Sequence, residues 1–229
     1  PASLDSVNLS ARRARDADDY ARRYAAALAD AGPKDVVALR NAGIVLDRVF
    51  GETSDPVVRL AATGTDVRVV LSAGRDAEGG MAHTLGSVIV IPRSELARSS
   101  TDLAALLAHE LVHVSQRTNM KIHSGRAKAM GWSSRDLPAA SADPPTPLPA
   151  RANPDTSPDG AGAVLAARPG GELCGAFFAR GTEASDLREV QLACLKPVDG
   201  ADGGARYSAS AAEHEHPNEE TAYLVQEAV

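Results

Sequence analysis

Aromatic side chains are scarce, at 3% of the chain: one Trp, four Tyr and three Phe. That excludes a large β-sandwich built on aromatic pairs. No apolar run approaches the ~20 residues a helix needs to span a bilayer, so no membrane span is expected. A polybasic block is also missing. The 24 Lys and Arg against 30 Asp and Glu leave a net charge of −6, and no nucleic-acid partner is expected. Cysteine is limited to Cys174 and Cys194. An even pair in so cysteine-poor a chain suits a single disulfide and an exported protein, either secreted or periplasmic. The alternative is two buried, reduced thiols in a cytosolic protein.

What is present suits a globular chain. Its 229 residues are 44% apolar and 24% charged, enough for one large domain or two small ones with a real core. Alanine fills 43 positions, which favours helices. Ser6 to Asp30 sets Val7, Leu9, Ala14, Ala17, Ala21, Tyr24 and Leu28 among charged residues, an amphipathic helical pattern. Gly32-Pro33 stops it, and Pro33 opens a second helix carrying Val36 to Val49. Residues 1–60 are therefore expected to form an N-terminal helical section.

Thr65–Ser72 and Ser87–Ile91 read as strands, the second closed by Pro92. Ser99-Ser100-Thr101-Asp102 supplies caps and a first-turn acid for a helix from about Thr101 to Gln116. Seven of the 14 prolines lie between Leu137 and Pro158, so 133–170 is expected to be a Pro/Ala/Gly-rich mobile insert. GELCGAFFAR and VQLACLKP would bring the cysteines close as a hairpin. Pro217-Asn218-Glu219-Glu220 carries helix-start signals for a final helix. The whole is expected to be one α+β domain.

The informative segment is His109-Glu110-Leu111-Val112-His113, inside the third of these helices. Histidines four apart stand one turn above each other, so both imidazoles can reach one metal ion. Glu110 points about 100° away around the helix, and can reach a water beside the ion. Two nitrogens, one oxygen and an open position suit Zn2+ at a hydrolytic site. Leu103, Leu107, Leu111 and Val114 fall on the opposite side, leaving the histidine side for a cleft. By average residue usage, His-Glu-x-x-His arises by accident in on the order of one chain in a hundred of this length. The bland alternative is a helix with two incidental histidines.

A strand followed by a helix bearing HExxH resembles the zincin metallopeptidases. The metzincin continuation is absent, because Val114-Ser115-Gln116-Arg117-Thr118-Asn119 lacks its Gly and third His. Asn218-Glu219-Glu220-Thr221-Ala222-Tyr223 resembles the gluzincin patterns NExxxD and ExxAD, with Tyr223 where those patterns often carry Asp. The segments also look like small bacterial zincin-like domains, some linked to toxin or secretion systems. The resemblance covers roughly residues 85–120 and 215–226. It implies a zincin-like α+β fold: N-terminal helices, a small sheet with an edge strand, an active-site helix and a later ligand-bearing helix.

The resemblance further implies zinc held by His109, His113 and Glu219, and peptide hydrolysis by a metal-activated water with Glu110 as general base. Rival third ligands are Asp186, in a near-match to the aspzincin GTxxD pattern, His214, His216 and Glu220. Tyr223, Tyr207 and the His214/His216 pair are the candidates for oxyanion stabilisation. A peptide or protein substrate would pair with Ser87–Ile91 if that strand lies at the sheet edge. The rival function is a non-catalytic or latent zincin-shaped module within a larger assembly. Outside the motif, His83 reads as a loop histidine that can line the cleft, His123 as solvated, and Trp132 as an anchor for the Pro-rich stretch.

Overall fold

The N-terminal section is helical, but its first helix is not continuous. In the computed structural model, Asp5 accepts the Asn8 N–H at 2.8 Å and starts α1 (Ser6–Ala11). Arg13 then turns left-handed, with φ 57°, and ends the helical run. The chain resumes as α2 (Ala17–Ala27), with Asp18 and Asp19 in its first turn, and runs into the short β1 (Leu28–Ala29). The apolar spacing continues across this break, which is why the sequence reads as one helix. Pro33 does open α3 (Pro33–Glu52), where the Asp35 carboxylate accepts the Gly32 N–H at 2.9 Å.

The remaining elements are β2 (Arg68–Ser72), β3 (His83–Leu85), β4 (Val88–Pro92), α4 (Ser100–Thr118) and α5 (Met120–Ala129). They are followed by β5 (Ser133–Pro138), β6 (Val164–Ala167), β7 (Leu173–Phe178), β8 (Val190–Asp199), β9 (Ala205–Ala211) and α6 (Pro217–Glu227). The structure describes residues 4–56, 58, 59, 66–138, 149–155, 164–168, 172–199, 205–211, 217–227 and 229. The mixed α+β class expected from the sequence is present. Where one domain was expected, the chain divides into two compact units.

A helix–sheet unit takes Asp18–His123 and Thr221–Val229. Its sheet has the order β1-β2-β4-β3, with β2 and β4 parallel and the outer pairs antiparallel. Leu71, Ile89 and Ile91 from the sheet pack with Leu46 and Phe50 of α3, Leu103, Leu107, Val112 and Val114 of α4, and Ala222 and Val225 of α6. Each large side chain buried this way contributes about 1.5–3 kcal/mol. Ser99 caps α4 as its sequence predicts, accepting the Asp102 N–H at 3.1 Å. Near its other end, the Arg117 guanidinium donates to Thr84 Oγ1 at 2.6 Å and to the Gly86 carbonyl at 3.2 Å, tying α4 to the β3–β4 turn.

The Ser87–Ile91 run is not an edge strand. It forms β4, between β2 and β3, and the edge beyond it is β3. Ile89, Val90 and Ile91 are all buried, on both faces of the strand. An unbroken apolar run is what an interior strand with a parallel neighbour requires.

The second unit takes Pro1–Ala17 and Ser124–Glu220 and holds an antiparallel sheet in the order β5-β6-β7-β8-β9. Cys174 and Cys194 face each other across β7 and β8 and are joined by a disulfide. The stretch expected to be a mobile insert supplies β5 and β6, and Ala150 bridges to Phe177. The rest of that stretch, 139–148, 156–163 and 169–170, lies outside the described residues. Pro138 stands at the end of β5, which borders the sheet, where a missing N–H is tolerated.

Candidate metal centre

Helix α4 brings its two histidines together as the four-residue spacing requires. The Nε2 atoms of His109 and His113 lie 3.0 Å apart, with ring centroids 4.8 Å apart. Two nitrogens bound at ~2.0–2.1 Å to one tetrahedral ion would be roughly 3.3 Å apart, so this pair is already near a chelating separation. His113 Nδ1 faces Gln116 Oε1 at 2.9 Å. An amide oxygen only accepts, so the proton belongs on Nδ1 and the Nε2 lone pair is left for a metal. His113 is 0% exposed, which fixes the ring further.

Helix α6 approaches the same imidazoles. The Tyr223 ring meets the His109 ring edge-on, with centroids 4.7 Å apart. Glu219 precedes Tyr223 by four residues, so it shares that helix face one turn earlier. His109, His113 and Glu219 each offer a ligand atom, all within 4.8 Å of one another. Asn153 Nδ2 donates to Glu219 Oε1 at 3.2 Å, which orients the carboxylate. A set of two imidazoles and one carboxylate at this spacing can hold a metal ion.

Glu110 follows the first histidine and is 3% exposed. The sequence reading left the histidine side of α4 for an open cleft. His109, Glu110 and His113 are instead all buried, as are Leu103, Leu107 and Val114 opposite them. Tyr223 against His109 covers part of this side, and Tyr223 itself stays 43% exposed.

Two rival ligands have other partners. Asp186 accepts from Arg13 at 3.1 Å and from the Arg188 N–H at 3.0 Å. Glu220 accepts the Trp132 indole N–H at 2.7 Å. His214 and His216 lie outside the described residues, as does the side chain of Tyr207 on β9.

Two histidines differ from their sequence reading. His83 begins β3 rather than a loop and is buried, with Nε2 2.7 Å from the Tyr24 hydroxyl and Nδ1 2.9 Å from the Met81 carbonyl. His123, expected to be solvated, is buried with Nε2 3.0 Å from Ser115 Oγ. Trp132 packs against the disulfide with Ala127 and Met130. Gln116 and Asn153 were missed. The three-residue step from His113 to Gln116 was a readable signal, whereas nothing local points from Asn153 to a residue 66 positions away.

No helix among the described residues is long and apolar enough to cross a membrane. No curated protein and no solved structure matches the chain. Residues 60–121, which take in β2, β3, β4 and α4 with both histidines and Glu110, match the family model of the eCIS core domain, the core of the extracellular contractile injection system.

Proposed function

We propose that the chain is a zincin-type, zinc-dependent peptidase that works within an extracellular injection assembly. The observation that carries the reading is the convergence of His109, His113 and Glu219, with the buried acid Glu110 next to the first of them. His109, His113 and Glu219 would hold the zinc, which would supply a Lewis acid and bring the pKa of a bound water down to ~7. Glu110 takes the proton from the attacking water and hands it to the leaving amine. The Tyr223 hydroxyl, on the ring beside His109, is the candidate donor to the oxyanion. An extended peptide would pair with β3, an edge strand among the described residues, rather than with β4.

The disulfide and the core-domain match both support an extracellular setting and a partner assembly. A second reading, a latent or binding-only module, is favoured by the burial of His113 and Glu110. The deciding experiment measures zinc per chain in protein purified without added metal, then digests a peptide library. Zinc at one per chain with cleavage supports the peptidase. Zinc without cleavage supports the module, and no zinc defeats both versions of the site.

A further inference from the structure

The carboxylate at the metal centre stands at the very start of α6, where a helix end is prone to fray. Two donors hold that start in place. Asn153 donates to Glu219 itself, and Trp132 donates to Glu220, the next residue along. Both donors are held from behind. The segment carrying Asn153 is pinned by α1: Asn8 bonds the Ala150 carbonyl at 3.0 Å and the Ala152 N–H at 2.7 Å, and Arg12 donates to the Ala152 carbonyl at 2.7 Å. On its other side the Arg151 N–H donates to the Ala176 carbonyl of β7 at 2.7 Å. Trp132 is 2% exposed, packed on the Cys174–Cys194 bridge, with the Arg168 guanidinium 4.6 Å over its ring.

We propose that Asn153 and Trp132 are positioning residues for the metal ligand Glu219, one fixing its carboxylate and the other fastening its helix turn through Glu220. The proposal rests on the metal-centre reading above. It makes the antiparallel sheet a rigid, disulfide-backed support for a ligand at a helix terminus. Partners that orient a metal ligand are typically worth 10–100-fold in metal affinity.

The test is zinc affinity by competition with a chromogenic chelator, on the full chain, with far-UV circular dichroism as the fold control. Asn153→Ala weakens zinc about 10–100-fold. Trp132→Phe keeps an aromatic ring on the disulfide but loses the N–H, and weakens zinc about tenfold. Glu220→Ala weakens it equally, the double variant weakens it no further, and Glu220→Gln, which still accepts, restores affinity. A merely structural role would give additive losses and no rescue. Because Trp132 is the single tryptophan, Glu220→Ala also shifts the emission of the metal-free protein. Should Trp132→Phe fail to fold, Asn153→Ala and the two Glu220 variants decide. Wild-type zinc binding that depends on His109 and His113, with Asn153→Ala and Glu220→Ala unchanged, overturns the positioning roles alone. A wild-type chain that binds no zinc overturns the metal centre and these roles with it.

Discussion

Glu110→Gln separates a catalyst from a metal-binding module. The side chain keeps its length and shape, loses its capacity to hold a proton, and does not belong to the group of ligand atoms. Proton transfer by a positioned acid–base group is worth about 10²–10⁴-fold. At 1.36 kcal/mol per decade this is about 2.7–5.4 kcal/mol of transition-state stabilisation. The structure bounds the side effects. Glu110 is 3% exposed, and an amide of nearly equal volume fills the same space. The melting temperature should therefore change little. Zinc stoichiometry should stay at the wild-type value, because both histidines and Glu219 remain. The assay is kcat/KM on a quenched fluorescent peptide selected from a library digest, beside elemental analysis of the same preparations. Equal cleavage by both proteins would refute the assignment of Glu110 as the base. A loss of zinc in parallel with activity would instead make Glu110 a ligand.

Other outcomes follow from the same geometry. His109→Ala, His113→Ala and Glu219→Ala should each strip tightly bound zinc, whereas Asp186→Ala should leave it bound and cost the bonds to Arg13 and Arg188; the reverse ranking by elemental analysis would move the third ligand to Asp186. Tyr223→Phe keeps the ring on His109, so zinc binding should hold while kcat falls about 10²-fold if the hydroxyl serves the oxyanion; an unchanged kcat removes it from the mechanism. Unreduced protein should titrate no free thiols, and Cys174→Ala/Cys194→Ala should lose about 3 kcal/mol in urea unfolding, the loop-entropy value for a separation of 20 residues. Ile91→Ala, at a fully buried sheet position, should cost about 2–5 kcal/mol in the same assay.

What the sequence made legible was local. The Ser99 cap, the four-residue histidine spacing and the Pro33 and Pro217 helix starts depend on neighbours within one turn, and each is found where the pattern predicts. The errors arose where the answer depended on distant chain. Whether Ser87–Ile91 is an edge or an interior strand is decided by which strands flank it, and β2 and β3 do so from both sides. β5 and β6, at the two ends of the expected insert, form because partner strands supply their hydrogen bonds. Arg13 breaks the first helix through a left-handed turn that residue preference disfavours, so composition could not reveal it. His83 read as a loop histidine and His123 as solvated, yet both are buried, with Tyr24 and Ser115 as their respective partners.

The same division runs through the candidate site. His109, Glu110 and His113 lie on one helix, and their relation could be worked out from 3.6 residues per turn. Glu219 needed a family pattern to single it out from Glu220. The structure separates the two by their partners: Asn153 donates to Glu219, and the indole of Trp132 donates to Glu220. Adjacent residues on a helix point about 100° apart, so one acid facing the imidazoles requires the other to face elsewhere. The departure at Tyr223 also acquires a physical sense. A residue four places after Glu219 lies on the same helix face, and there an aromatic ring packs edge-on against His109. An Asp in that place would orient the imidazole by a hydrogen bond, whereas Tyr223 meets it by an edge-on ring contact.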